Sequence, residues 1–165
     1  MMRMAILAAG LAALVVAPAQ AADNSLSPQA NAAFLAANAK TAGVIVEPSG
    51  LQHRAIHNGY GKRPNAADLV TVNYRGTLIN GKVFDATEPG LPAQFTVNKL
   101  IPGWTEALQL MREGDQWELV IPANLAYGAR GAGNAIPSNQ TLVFDLTLIS
   151  VSPAPKEPGQ DKQSQ

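Results

Sequence analysis

Residues 69–78 alternate without a break. Val70, Val72, Tyr74, Gly76 and Leu78 fall on one side, and Thr71, Asn73, Arg75 and Thr77 on the other. A run of period 2 this long is a strand with one buried face. It constrains the rest of the chain, which must supply hydrogen-bonding partners along its length and a cover for its apolar side. Asn80-Gly81 follows at once. It is the strongest short hairpin signal, because both residues tolerate positive φ. Residues 82–85 are then the return strand. Further strands are expected at 50–57, 93–97, 115–121 and 141–151. In the last of these Leu142, Phe144, Leu146 and Leu148 face one way, and in the one before it Trp117, Leu119 and Ile121 do the same. Gly and Pro mark loops at 58–67, 86–92 and 122–139.

The cover is one central helix. Pro102-Gly103-Trp104 opens it and Gly114 closes it. Trp104, Leu108 and Met111 stand at i, i+4 and i+7 with Ala107 between them, a single apolar stripe, and Glu106 suits the first turn. An antiparallel sheet curled around a lone helix is an α+β fold. A second, shorter helix is expected within residues 31–43, which are Ala-rich and end near Gly43. Residues 22–31 read as polar and poorly ordered. Residues 152–165 carry three Pro and few apolar side chains, and read as a disordered tail.

The first 21 residues read as an address. Arg3 is followed by an apolar run to about Val16, and Ala19-Gln20-Ala21 has the small residues of a cleavage site. The run is shorter than the ~20 residues that span a bilayer. Cleavage after Ala21 and a periplasmic or secreted destination are expected, with no stable membrane insertion. The division is then a signal peptide at 1–21, an extension at 22–48, a domain at 49–151 and the tail.

Composition narrows the chemistry. Twelve Lys+Arg balance twelve Asp+Glu, so no basic surface for nucleic acid is expected. The absence of Cys excludes disulfides, thiolate zinc sites and thiol catalysis. His53 and His57 are the only histidines. They lie four apart on a predicted strand, too far apart to share an ion, and read as surface residues. Glu113, Asp115 and Glu118 read as a solvated edge. No nucleophile elbow, phosphate loop or zinc-protease motif is present. No metal and no cofactor are expected.

Aromatic side chains remain: Tyr74, Phe84, Trp104, Tyr127 and Phe144. The residues alone leave two readings open, a plain core or the walls of a pocket. Asp85, directly after Phe84, favours the pocket. A carboxylate beside apolar surface must be hydrogen-bonded, and aromatic walls with a few polar groups are the usual form of a small-ligand site.

Three segments then carry a resemblance. VTVNYRGTLINGKVFDAT at 70–87, LIPGWTEALQLMREGDQWELVIPANLAYG at 100–128 and IPSNQTLVFDLTLI at 136–149 closely resemble an FKBP-type peptidyl-prolyl cis–trans isomerase. The resemblance runs from about Ser49 to Val151. It implies a five- or six-stranded antiparallel half-barrel wrapped around a short helix. It also implies a site with Trp104 as the floor under the substrate proline, and Tyr74, Phe84 and Phe144 as apolar walls. Leu100 and Ile101 would be the rim, the Ile101 N–H bonding a ligand carbonyl. Tyr127 would offer its hydroxyl, Asp85 would orient the twisting amide, and Ile136 would add an apolar contact. Ala93 and Leu125 stand where larger residues are frequent, and Ala132, Gly133 and Ala135 lighten the loop at 130–135.

By this resemblance the partners are proline-containing unfolded or partly folded polypeptides, and macrolide inhibitors of the FK506 type. The extension is short, so a monomer is expected. Two other readings stand beside the isomerase: a poorly active chaperone or docking module of the same fold, and a small β-barrel carrier, which the helix around Trp104 would leave without a cavity.

Overall fold

The computed structural model describes residues 24–154. The signal segment expected at 1–21 and residues 155–165 of the expected tail lie outside the described residues. The elements in chain order are α1 (Pro28–Asn38), β1 (Ile45–Val46), β2 (Gln52–His57), β3 (Leu69–Leu78), β4 (Val83–Ala86), β5 (Ala93–Thr96), α2 (Pro102–Leu110), β6 (Gln116–Ile121) and β7 (Leu142–Ser152).

The alternating run is the organising strand. β3 pairs antiparallel with β7 along its whole length, from Leu69 opposite Ser152 to Leu78 opposite Leu142. β6 lies on the far side of β7, then β2 and β1, giving the order β1-β2-β6-β7-β3-β4. The sheet has seven strands, one more than expected, the addition being the two-residue β1. The outer edge of β3 is shared. β4 takes Arg75–Thr77 and β5 takes Leu69–Val72. Tyr74 sits where the two part, and there Thr87 completes the ladder. The Tyr74 N–H donates to Thr87 Oγ1 at 3.1 Å, and the Thr87 N–H to the Tyr74 carbonyl at 2.9 Å.

The apolar face closes over α2. Trp104, Ala107, Leu108 and Met111 are buried with Val70, Val72, Leu119, Leu146 and Leu148 in one core, as the stripe implies. α2 stops at Leu110 rather than near Gly114, because Met111 turns extended at ψ 164°. The next residues form a turn, in which the Asp115 N–H donates to the Arg112 carbonyl.

Several polar residues are placed otherwise than expected. Asp115 is not part of a solvated edge. It is buried, and its carboxylate accepts the N–H groups of Gly59 and Arg112, each at 2.6 Å. Glu113 accepts from the Val151 N–H at 2.7 Å and the Lys62 N–H at 3.2 Å. Glu118 stays at a half-exposed edge, paired with Arg54 at 3.1 Å. His53 is buried, stacked on Trp117 with ring centroids 4.3 Å apart and bonded to Glu47 at 2.7 Å. β1 pairs alongside it and brings Glu47 over the ring, which the strand pattern did not show. His57 is exposed as expected.

The hairpin after β3 forms, with different chemistry. Leu78 accepts from Gly81 at 2.9 Å and donates to Lys82 at 3.0 Å. Gly81 alone has positive φ, at 85°. Asn80 instead accepts the Lys82 N–H through Oδ1. The described part of the extension is ordered. α1 begins at Pro28 and ends at Asn38. Ser27 Oγ accepts the Ala30 N–H, Pro28 takes the first turn, and Asn31 is buried.

Candidate active site

Trp104 comes from the first turn of α2, where Pro102 fixes the helix start and Ile101 caps it, its carbonyl accepting from the N–H groups of Trp104 and Thr105. The indole is 4% exposed. Three rings meet it edge-on: Tyr74 at 5.1 Å, Phe144 at 5.2 Å and Phe95 at 6.0 Å, with interplanar angles of 80–87°. Phe84 stands edge-on to Phe144 at 5.5 Å. Perpendicular contacts of this kind suit the ring quadrupole and add about 0.5–1.5 kcal/mol each beyond area burial. Gly76 permits them, because a Cβ there would lie 2.6 Å from Phe84 Cζ and 2.7 Å from Phe144 Cε1.

These rings bound a cavity of about 480 Å³, lined by Tyr74, Phe84, Asp85, Phe95, Lys99, Leu100, Ile101, Trp104, Tyr127 and Phe144. Its polar groups are few. The Tyr74 hydroxyl donates to Asp85 Oδ2 at 2.7 Å. Burial, and then the hydrogen bond to Asp85 and its charge, push the Tyr74 phenol well above its ordinary value. It is therefore a neutral donor at working pH. Asp85 is exposed at the mouth, and one of its oxygens stays open to a ligand. Tyr127 is 42% exposed, and among the described residues its hydroxyl makes no hydrogen bond. The Trp104 Nε1 is buried and also without a partner. No group of three or more His, Asp or Glu able to hold a metal occurs among the described residues.

Eight of the side chains singled out from the sequence line this one cavity, from β3, β4, α2 and β7, the two residues before α2 and the loop at 122–139. Ile136 does not line it. It is buried in the core below the loop, bridged to Ala132. Phe95 and Lys99 were missed. Phe95 had a readable signal, since it is the one aromatic residue in the strand at 93–97 and shares a face with Ala93. Lys99 had none, being an exposed lysine in a short 3-10 turn, Val97–Lys99.

The arrangement has no nucleophile and no acid–base pair aimed into the cavity. It offers a buried aromatic floor, an acceptor carboxylate and two hydroxyls. That suits a ring-shaped apolar group with a polar amide beside it.

The profile of a protein family described as FKBP-type peptidyl-prolyl cis-trans isomerase matches residues 61–149. The outer membrane protein MIP of Legionella longbeachae is 55% identical over 123 residues, 74% of this chain and 53% of that protein. The FKBP-type 22 kDa peptidyl-prolyl cis-trans isomerase of Escherichia coli is 52% identical over 119 residues, 72% of this chain and 58% of the relative. The chain thus spans about half the length of the curated relatives it matches. Among solved structures, a peptidyl-prolyl cis-trans isomerase from Pseudomonas syringae superposes with a TM-score of 0.71 at 40% identity, covering 75% of this chain and 92% of its own. FkpA from Escherichia coli superposes with 0.73 at 44% identity, covering 76% and 59%.

Proposed function

Since the chain belongs to the FKBP-type peptidyl-prolyl cis-trans isomerase family, we propose that it accelerates rotation about Xaa-Pro bonds in unfolded and partly folded polypeptides. The observation that carries this is the Trp104 floor, walled edge-on by Tyr74, Phe95 and Phe144, with the Tyr74–Asp85 hydrogen bond at its mouth.

Unassisted Xaa-Pro rotation takes tens to hundreds of seconds. Bringing it into the millisecond range lowers the barrier by about 7 kcal/mol, at about 1.4 per decade. No covalent step is needed. The planar amide is resonance-stabilised and strongly solvated, whereas the twisted amide loses that resonance. A dry aromatic cavity disfavours the first and accepts the second. The proline ring sits on Trp104. The Ile101 N–H and the Tyr127 hydroxyl hold the flanking carbonyls. Asp85, steadied by Tyr74, faces the amide as it twists. Contacts that tighten only in the twisted state supply the acceleration. The presence of Tyr74, Phe84, Asp85, Trp104, Tyr127 and Phe144 around one cavity favours turnover over the docking-module reading.

The test is isomerisation of Xaa-Pro peptides by the protein and its Asp85→Ala and Tyr127→Phe variants. We expect clear acceleration, falling roughly tenfold in each variant, the scale of one lost hydrogen bond. An FK506-type macrolide should compete with the peptide. A folded protein that accelerates nothing would overturn the reading.

The pattern at residues 1–21 supports export to the periplasm. Among the described residues no helix is long and apolar enough to cross a membrane. Protein recovered from a periplasmic fraction should begin at Ala22. α1 is bonded to its own domain through Asn31 and Asn38, which supports a monomer. Light scattering should give the mass of one chain.

A further inference from the structure

α1 lies outside residues 61–149, where the family profile matches, yet it is bonded to the loop that carries Tyr127. Asn31 is 5% exposed, Gln140 6% and Thr141 2%. Asn31 Oδ1 accepts the Thr141 N–H at 2.8 Å. Asn31 Nδ2 is shared among Gln140 Oε1 at 3.2 Å and the carbonyls of Leu26 and Ser27 at 3.2 and 3.0 Å. Gln140 Nε2 donates to the Leu26 carbonyl at 3.2 Å and the Ser138 carbonyl at 3.0 Å. Ser138 Oγ then donates to the Ala129 carbonyl at 2.6 Å, and the Asn139 N–H to the Gly128 carbonyl at 2.9 Å. The next residue is Tyr127. An unbroken chain of hydrogen bonds thus runs from the first turn of α1 to the base of the loop.

Buried polar side chains are retained at a cost unless every group is satisfied. A Leu or Ala at 31 would leave the Thr141 N–H and Gln140 Oε1 without the bonds that Asn31 gives them. At its other end α1 is held separately. There Asn38 Nδ2 donates to Gln52 Oε1 at 2.8 Å, and Gln52 Nε2 to the Leu35 carbonyl at 3.1 Å. One end of the helix secures the sheet, and the other secures the loop.

We propose that Asn31 is a positioning residue: it fixes the 128–141 end of the loop, and so the place of the Tyr127 hydroxyl over the cavity. The proposal rests on the isomerase reading of that cavity. It makes the extension a working part of the site rather than a tether in front of it.

The test is a double-mutant cycle on the full chain, read as kcat/KM for an Xaa-Pro peptide, together with amide exchange at Asn139 and Gly131. Asn31→Ala should lose roughly tenfold when Tyr127 is present, less than the roughly 10²-fold that a full 1 Å misplacement can cost. In the Tyr127→Phe background it should lose less than about twofold, since coupled groups are not additive. The Asn139 and Gly131 amides should exchange faster. Asn38→Ala should lower Tm and leave kcat/KM unchanged. Ser138→Ala, an exposed substitution that cuts the same chain of bonds, serves if Asn31→Ala does not fold, and should show the same dependence on Tyr127. Equal losses in both backgrounds, or unaltered exchange in the loop, would overturn the proposal. If the wild-type protein accelerates no peptide, the isomerase reading fails, and the exchange measurement alone decides whether Asn31 holds the loop.

Discussion

At the scale of single residues the pocket depends on one missing atom and one proton. Gly76 lies on the buried face of β3, among positions otherwise filled by Val, Tyr and Leu. A methyl group there would collide with both Phe84 and Phe144. Gly76→Ala should therefore cost about 1–3 kcal/mol, as overpacking does, and lower kcat/KM as the walls shift, both readable from denaturant unfolding and the peptide assay. The proton is that of Tyr74. Its phenol is raised above the ordinary 10.0 by burial and by Asp85, so the neutral donor form persists to higher pH. Ultraviolet phenolate titrations of the wild type and Tyr74→Phe should coincide through pH 10 and separate only above it. A difference centred at 10 would mean that neither the burial of Tyr74 nor its bond to Asp85 holds in solution. Asp85 itself was legible because a carboxylate after an apolar strand residue demands a partner. Lys99 was not, because nothing local distinguishes a rim lysine from any other surface lysine.

At the scale of elements, periodicity was enough for β3, β6, β7 and the stripe of α2, whose spans lie within a few residues of the expected ones. It failed where side chains outcompete it. The two-residue β1 has too little sequence to show a period, and its presence is what buries His53. α1 starts earlier than its Ala-rich pattern suggests, because the start is set by capping at Ser27 rather than by hydrophobicity. Ser27→Ala should cost about 1 kcal/mol, the usual value of a lost N-cap. It should also speed amide exchange near Ala30. The β3–β4 hairpin was legible as a hairpin but not as a turn type, since Asn-Gly serves more than one. With only Gly81 at positive φ, Gly81→Ala should cost about 1–2 kcal/mol, the penalty of a left-handed residue with a Cβ. The equivalent change at Asn80 should be milder. Comparable losses at both positions in thermal unfolding would point to a two-residue turn instead.

At the scale of the whole molecule, the sheet leaves its two ends to be tied, and carboxylates do this. Asp115 ties the loop at 58–62 to the end of α2. Glu113 ties the same loop, through the Lys62 N–H, to the last strand through the Val151 N–H. Neither was legible in the sequence, where a run of acidic residues in a turn reads as solvated. Apart from the Arg112 N–H, the partners are main-chain groups more than 35 residues away, and no side-chain pattern records them. The bonds from Val151 and then Lys62 hold the Glu113 carboxyl below its ordinary 4.5. Folding therefore favours the ionised form, and the unfolded chain holds the proton more tightly than the native one. The contribution is complete above pH 4.5 and is lost as pH falls through the lowered native value. Glu113→Gln keeps the size of the side chain but offers one neutral acceptor in place of two charged ones. Its Tm should lie below that of the wild type at pH 7, and the gap should hold constant down to about pH 5, near the unfolded-state value. Below that the wild type alone should lose stability from this site, and the two curves should converge. A gap that stays constant into acid would mean that the side chain acts through its shape and not its charge, and that other carboxylates carry the acid sensitivity of the fold.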